Sequence, residues 1–251
     1  ITIQRLVDGA GTAQIDAPSG VLWGTVSEQG SALPPEAVFW IGYSVTPLTP
    51  SLNGVADVAS LLNRRGRYPC SLVGHREPVL DVYRRLVWGP PRGVRPHQPL
   101  LVACERPDVD EIPVRVARTD EYTQVYDASV AMFKEEVGFS PEQPNPSGYR
   151  ARVRSLLTGG HTLVLNDGNT LIFKADLGVI SSRAVQVQGV WVHPAYRGQG
   201  IASRAMVSVT RHALAYAPTV SLYVNSFNTS ALGAYARAGY RQIGEFATVM
   251  Y

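Results

Sequence analysis

Cysteine is scarce in this chain of 251 residues, which carries two, Cys70 and Cys104. Their spacing excludes a cysteine-based metal site and a CxxC redox motif. We expect two reduced thiols in a cytoplasmic protein rather than a disulfide. The sequence also has no apolar run of membrane-spanning length and no signal-peptide pattern, so we predict a cytoplasmic location and no membrane partner.

Lysine is scarce as well: Lys134 and Lys174 are the only two, and arginine supplies nearly all of the positive charge. The net charge is +3, and 45% of the residues are hydrophobic, which supports a buried core. Arginine pairs such as Arg64-Arg65 and Arg84-Arg85 are separated by apolar segments. We therefore expect solvated faces rather than a basic stripe, and no nucleic-acid partner.

The segment 188–202 has the pattern of a strand, a glycine-rich turn and the start of a helix. Val190 and Val192 alternate with their neighbours as in a strand, which Pro194 ends. Gly198 and Gly200 let the backbone approach a ligand without a Cβ in the way. The first N–H groups of a helix have no intrahelical partner, so the segment predicts an anion site.

This segment resembles motif A of the GCN5-related N-acetyltransferases (the GNAT superfamily), because Arg197, Gly200 and Ala202 match the family pattern Arg/Gln-x-x-Gly-x-Gly/Ala. The resemblance implies that the loop binds the pyrophosphate of acetyl-CoA and that the preceding strand binds the pantetheine arm. The implied cofactor-binding residues are Val190, Trp191, Val192, Arg197, Gly198, Gln199, Gly200, Ile201 and Ala202. An ordinary strand-to-helix turn is the alternative.

A second motif follows after a strand predicted at Thr219–Val224. The series Asn228, Ala231, Tyr235, Gly239 and Tyr240 matches motif B of the family in residue type and spacing. By this resemblance Tyr235 is the general acid that protonates the CoA thiolate, and it also contacts the cofactor. A tyrosine packed in the core is the alternative. Asn228 binds pantetheine or caps the following helix.

The sequence offers several candidates for the general base. Glu135 and Glu136 end the first helix of the family fold, next to a proline-rich loop where the family binds acceptors. His193 ends the motif A strand, near the expected thioester. Asp176 interrupts an apolar strand and points either to solvent or into the cleft. A solvated helix end, a loop histidine and a base made of water remain alternatives.

Residues 1–108 are predicted to form a separate, smaller α/β domain. Its predicted strands and helices are Val21–Ser27, Ala37–Tyr43, Asn53–Leu62 (helix, capped by Asn53), Ser71–Val73, Glu77–Trp88 (helix) and Leu100–Cys104. The same order recurs in the half with motifs A and B, so one hypothesis is an internal duplication with a degenerate first copy. Its loop at Thr46–Gly54 lacks the arginine and paired glycines, and its prolines remove amide donors, so we expect no cofactor there. An unrelated α/β cap is the alternative.

Residues 112–251 are predicted to form the GNAT domain, after a proline-bounded linker at Glu105–Pro113. The fold class is therefore α/β with a mixed sheet. The predicted elements are Val114–Ala117, a helix from Thr119 or Asp120 to Val137, the helix Tyr149–Leu157, the strands His161–Leu165, Thr170–Ile180 and Ala184–His193, the helix Gly200–Ala215, the strand Thr219–Val224, the helix Thr229–Ala238 and a last strand or bent pair at Tyr240–Tyr251. Asn166–Asn169 predicts a hairpin turn.

The whole pattern resembles an actinobacterial GNAT group that carries an N-terminal domain of uncharacterised function. The implied function is acetyl-CoA-dependent transfer of an acetyl group to a primary amine of a small molecule or protein by direct attack, without a metal. An acyl-CoA-binding sensor without turnover is the alternative. A transferase that uses aminoacyl-tRNA is disfavoured because the Arg197–Ala202 loop is intact. The acceptor, the acyl length and the oligomeric state stay open.

Overall fold

The computed structural model describes residues 6–7, 12–17, 20–25, 37–67, 71–143 and 146–251. The chain divides into two compact units, the first formed by Ile1–Pro99 with Gly244–Tyr251 and the second by Leu100–Ile243. The predicted division into sequence domains at 108 and 112 stays a prediction. Among the helices in the described ranges, none has the length and apolarity needed to cross a membrane.

The elements of the chain up to residue 103 are mainly short strands. They are β1 (Leu6–Val7), β2 (Thr12–Ala17), β3 (Gly20–Thr25), β4 (Val38–Gly42), β5 (Ser44–Pro47), α1 (Val55–Arg65), β6 (Ser71–His75), α2 (Arg76–Arg85) and β7 (Gly93–Ala103). The remaining elements are β8 (Arg115–Val116), α3 (Tyr122–Val137), α4 (Pro146–Thr158), β9 (Thr162–Asp167), β10 (Thr170–Ile180), β11 (Val185–Val192), α5 (Ile201–Leu214), β12 (Val220–Tyr223), α6 (Thr229–Arg237) and β13 (Arg241–Met250).

In the first unit the strand order is β1-β2-β3-β4-β5-β6, followed by the Gly244–Met250 part of β13. Neighbouring strands are antiparallel except β5 and β6, which are parallel. Helix α1 buries Val55, Val58 and Leu62, whose spacing places them on one helical face, against a core that includes Val45 and Leu72.

Two predictions for residues 1–108 need correction. Asn53 does not cap α1: the N-cap is Gly54, which has φ 70° and no side-chain cap. The strand predicted at Leu100–Cys104 begins earlier, at Gly93, because Pro96 and Pro99 are accommodated within β7. Residues 26 and 27 of the first predicted strand, and Cys70, lie outside the described residues. Cys104 is an exposed free thiol.

In the second unit the strand order is β12-β11-β10-β9-β8, preceded by the Leu100–Ala103 part of β7. Strands β11 and β12 are parallel, and the other neighbours are antiparallel. Side chains of consecutive strand residues enter different apolar clusters: Leu163 joins Met206 of α5, and Val164 joins Val125 of α3. This alternation places α5 and α6 on one face of the sheet and α3 and α4 on the other.

Local signals in the second unit are largely confirmed. The predicted hairpin turn joins β9 to β10, with Gly168 at φ 54°. Gly138 ends α3 with φ 87°, as expected of a C-terminal glycine. The predicted start of α3 at residues 119–120 was wrong, because residues 119–121 form a 3₁₀ turn and the helix begins at Tyr122. Helix α4 begins at Pro146, before the predicted Tyr149.

Candidate functional site

The loop between β11 and α5 presents unpaired backbone N–H groups. Gly198 and Gly200 have φ of 77° and 74°, and a Cβ built on either would meet nothing within 4 Å. These glycines are therefore required by the left-handed backbone, and the space beside them is open. The first intrahelical bond runs from the Arg204 N–H to the Gly200 oxygen, at 3.3 Å. Within this described loop, the N–H groups at the start of α5 are thus available to an anion.

The Arg197 side chain holds this loop in place through contacts with β11 and α3, and its role in binding a cofactor stays a prediction. Its Nε donates to the Val192 oxygen at 3.0 Å, and its Nη2 donates to both carboxylate oxygens of Glu135, at 2.8 and 3.0 Å. Both side chains are about half exposed, so the pair contributes on the order of 0–1 kcal/mol. The loop is thereby tied to the end of α3, and Glu135 is charge-compensated.

Strands β11 and β12 pair briefly and then separate. The parallel register consists of Val185 opposite Val220 and Gln186 opposite Ser221. Beyond it β11 has a bulge, because Lys174 pairs with Trp191 and Asp176 with Gln188, leaving two residues opposite Ala175. Among the described residues β11 and β12 form no further pairs, and we call this divergence of the two strands, directly before the glycine loop, the groove.

Helix α6 places Tyr235 in the apolar cluster against which Val190 and Val192 of β11 pack. The Tyr235 side chain is 7% exposed, and its ring lies 6.0 Å from that of Tyr240. Burial raises the pKa of the Tyr235 hydroxyl above its usual value, and the negative charge of Glu136 raises that pKa further. The hydroxyl is therefore protonated at neutral pH, as a general acid must be. Asn228 accepts a hydrogen bond from the Ala231 N–H at 3.1 Å, which confirms the predicted cap.

Glu136 also acts on a second tyrosine, the half-buried Tyr149 of α4. Burial raises the pKa of Tyr149, with smaller contributions from Asp176 and then Glu136. The Tyr149 hydroxyl donates to the Ser129 oxygen at 2.9 Å, which fixes α4 against α3. Glu136 is thus a carboxylate at the end of α3 within electrostatic reach of Tyr235, whereas Glu135 faces Arg197.

Comparisons with known proteins agree with this geometry. Residues 124–240 match the model of the Acetyltransferase (GNAT) family, and residues 20–125 match a domain of unknown function, DUF4081. The C-terminal part of the chain is a GNAT-family domain. A search of curated proteins found no match.

Solved structures similar to this chain include three described as members of the same family. A GNAT-family acetyltransferase from Colwellia psychrerythraea is 14% identical with a TM-score of 0.57, covering 92% of this chain and 85% of that one. GCN5-related N-acetyltransferases from Kribbella flavida and Sphaerobacter thermophilus are 16% and 17% identical, with TM-scores of 0.55 and 0.54. They cover 99% and 93% of this chain, and 89% and 80% of their own. At these identities the likeness shows the fold.

In the GNAT domain His193 is held at the end of β11. Its Nδ1 accepts a hydrogen bond from the Ala195 N–H at 3.3 Å, capping the 3₁₀ turn at residues 194–196. Its ring lies edge-on between Trp191 and Tyr196, at 5.7 and 5.6 Å. Because Nδ1 accepts this bond, the proton of a neutral His193 ring lies on Nε2, and neither nitrogen has a free lone pair to serve as a base while the cap is in place.

Asp176 does not point to solvent, so the interpretation of an outward strand residue was wrong. It is 6% exposed and accepts hydrogen bonds from the Lys174 ammonium at 2.7 Å and the Thr162 hydroxyl at 2.9 Å. Sequence reasoning missed Lys174, although a lysine two residues before an aspartate on an apolar strand signals a buried pair. Within the described ranges, no group of three or more His, Cys, Asp or Glu residues could hold a metal ion.

Proposed function

We propose that the GNAT domain transfers an acetyl group from acetyl-CoA to a primary amine by direct attack, on a small molecule or a protein. The observation that carries this proposal is the groove itself. Parallel pairing of β11 and β12 stops after two residue pairs, and the groove leads to a loop with Gly198 and Gly200 in left-handed conformation. A narrow pantetheine arm fits a strand edge, and a pyrophosphate fits the start of α5.

In this proposal the donor is held by backbone groups. The pyrophosphate accepts hydrogen bonds from the amides of Gly198 to Ala202. The arm lies along Val190 to Val192, and an N–H of this strand faces the thioester oxygen and stabilises the developing oxyanion. Asn228 serves as a helix cap, so the arm is expected to lie beside it rather than to depend on its amide.

The proton steps require one acceptor and one donor. Glu136 takes the proton of the ammonium, directly or through a water. The neutral nitrogen then forms a bond to the carbonyl carbon and releases its second proton to water. Collapse of the tetrahedral intermediate breaks the C–S bond and leaves a neutral amide. Tyr235 gives its proton to the leaving thiolate and recovers it from solvent. The Tyr235 hydroxyl carries its proton at neutral pH, since its ordinary pKa is 10.0 and burial raises that pKa further.

Replacing Tyr235 by Phe tests the proposal because it keeps the ring and removes the proton. We expect the single-turnover rate to fall by about 10²–10⁴-fold, with acetyl-CoA affinity unchanged. Tyr240→Phe is the matched control. It removes a buried hydroxyl that bonds the Thr210 hydroxyl at 2.9 Å, so it should cost on the order of 1 kcal/mol of stability and leave the rate unchanged.

Two outcomes would contradict the proposal. If Tyr235→Phe turns over like the wild-type chain, Tyr235 is a packing residue. If the wild-type chain binds acetyl-CoA yet acetylates nothing across a broad panel of amines and peptides, an acyl-CoA sensor is the better description. A cytoplasmic location and membership of an actinobacterial group remain predictions beside this one.

A further inference from the structure

One of the two lysines of the chain is completely buried. Lys174 on β10 has 0% of its surface exposed, and Asp176, on the same face of the strand, has 6%. The ammonium donates to Asp176 Oδ2 at 2.7 Å, and Thr162 of β9 donates to Asp176 Oδ1 at 2.9 Å. Buried ion pairs rarely add stability compared with apolar residues of the same volume. Stability alone therefore does not account for this pair.

The third partner of Lys174 indicates another role. Its ammonium also donates to the backbone oxygen of Gly189, at 3.1 Å. Gly189 lies in the β11 bulge and has φ 60°, so its carbonyl direction differs from that of a regular strand. A Cβ built at Gly189 would lie 2.5 Å from Asp176 Oδ2 and 3.1 Å from Lys174 Nζ. Position 189 therefore accepts only glycine while the Lys174–Asp176 pair lies against the bulge.

We propose that Lys174 and Asp176 form a buried lock that fixes the β11 bulge and thereby orients the N–H groups of Val190 and Val192 toward the acyl carbonyl. They are positioning residues, since they act through Gly189. An ammonium on a long apolar stem suits this task, because it can donate to a carboxylate and a carbonyl simultaneously. Thr162 lies outside the lock: it bonds the second oxygen of Asp176 and makes no contact with Gly189 through that bond. The role at the acyl carbonyl rests on the proposed function.

The test is the double replacement Lys174→Met with Asp176→Leu, which keeps apolar volume and leaves no unpaired charge. We expect its melting temperature to equal or exceed that of the wild type. Hydrogen exchange across Val190 to Val192, measured without ligand, should accelerate by about tenfold or more at the Trp191 amide, which pairs with β10 and is therefore protected until the bulge loosens. Affinity for CoA should stay within about twofold, because the glycine loop is untouched, while any preference for acetyl-CoA over CoA is lost.

Thr162→Val is the matched control within the same network. It removes one hydrogen bond to Asp176 and leaves the contact between Lys174 and Gly189 in place. It should lower the melting temperature while exchange at Val190 to Val192 stays as in the wild type. A variant that merely destabilises the domain would raise exchange at all of its amides, and the control distinguishes this from a local effect.

Gly189→Ala disturbs the lock from β11 rather than from β10. It replaces the double variant as the test if that variant does not fold. The added Cβ collides with Asp176, so the same local exchange and the same loss of acyl preference are expected. Wild-type exchange at Val190 to Val192 in whichever of these variants folds would overturn the lock. If exchange rises locally but the wild-type chain never binds acetyl-CoA, the lock stands and the proposed function fails.

Discussion

The first unit repeats the framework of the second. In each, a strand, a loop, a helix, a parallel strand and a second helix follow in order: β5, α1, β6 and α2, and then β11, α5, β12 and α6. Both parallel pairs have a register of two residue pairs, Ser44 with Ser71 and Val45 with Leu72 in the first unit. Helices α1 and α5 are both preceded by a left-handed glycine, Gly54 at φ 70° and Gly200 at φ 74°. The match supports the hypothesis of an internal duplication.

The two loops differ in the groups that would meet an anion. Ser51 stands three residues before Gly54, where Arg197 precedes Gly200, and Leu52 stands in the place of Gly198. The Val55 N–H at the start of α1 is already bonded to the Leu52 oxygen at 3.3 Å. The strand-loop-helix frame therefore depends on the left-handed glycine before the helix and on the apolar face of that helix. Anion binding depends instead on a few loop residues that can be lost without loss of fold.

The largest expected effect comes from placing a carboxylate in each loop. Gly200→Glu adds bulk and negative charge where the pyrophosphate would lie, so acetyl-CoA affinity should fall by several kcal/mol, on the order of a lost set of charge-assisted contacts. Gly54→Glu should leave affinity unchanged. Both glycines have positive φ, so each change should cost about 1–2 kcal/mol of stability. Binding is measured by calorimetry, and we expect one equivalent of acetyl-CoA per wild-type chain. Two equivalents, or binding that survives Gly200→Glu, would contradict the assignment of the anion site to the second unit alone.

The next prediction distinguishes the roles of two neighbouring carboxylates at the end of α3 in the second unit. Glu136→Gln should lower kcat/KM for the amine by about 10²-fold, because it removes the proposed base. Glu135→Gln breaks an exposed pair with Arg197 and should change acetyl-CoA affinity by less than about 1 kcal/mol. Together the two changes should raise the acceptor KM more than they alter donor affinity. Steady-state kinetics with an identified amine decides this, and equal effects of the two single changes would refute the assignment.

A pH-dependent effect is expected at the edge of the second unit. Hydrogen bonds from Arg115, at 2.6 and 2.8 Å, lower the pKa of the Glu121 carboxyl to about 2, from an ordinary value of 4.5. Because the folded-state pKa is depressed, the stabilisation is complete above pH 4.5 and is lost as the pH falls toward 2. Glu121→Gln should therefore cost on the order of 2 kcal/mol at pH 7 and much less near pH 2. Urea titrations at the two pH values measure the difference; a cost independent of pH would contradict it.

The smallest effect compares two asparagines that precede helices in the two units. Asn228 caps α6 through its side chain, so Asn228→Ala should cost about 1 kcal/mol. Asn53 precedes the N-cap Gly54, and α1 has no side-chain cap, so Asn53→Ala should stay within about 0.5 kcal/mol. Thermal melts of the two variants give the comparison. Equal losses would mean that Asn53 stabilises the loop by another route.

Features specified by neighbouring residues could be predicted from the sequence. The hairpin at Asn166–Asn169, the glycine that ends α3 and the cap at Asn228 each depend on a few consecutive residues. The loop from Arg197 to Ala202 was recognisable for the same reason. Errors occurred where local signals compete. Asn53 and Gly54 are both suitable N-cap residues for α1, and the left-handed Gly54 is the one at the N-cap.

The strand-loop-helix frame, the glycine loop and the apolar faces of the helices follow from local sequence, because their physical causes lie within a few residues of one another. The contacts between polar groups depend instead on how distant segments pack. Arg197 and Glu135 are 62 positions apart, and Lys174 and Gly189 are 15 apart on strands whose register depends on a bulge. A shift of register by one residue would turn Lys174 to the other face of the sheet. Packing of the whole sheet therefore fixes these contacts, and with them the geometry of the candidate site.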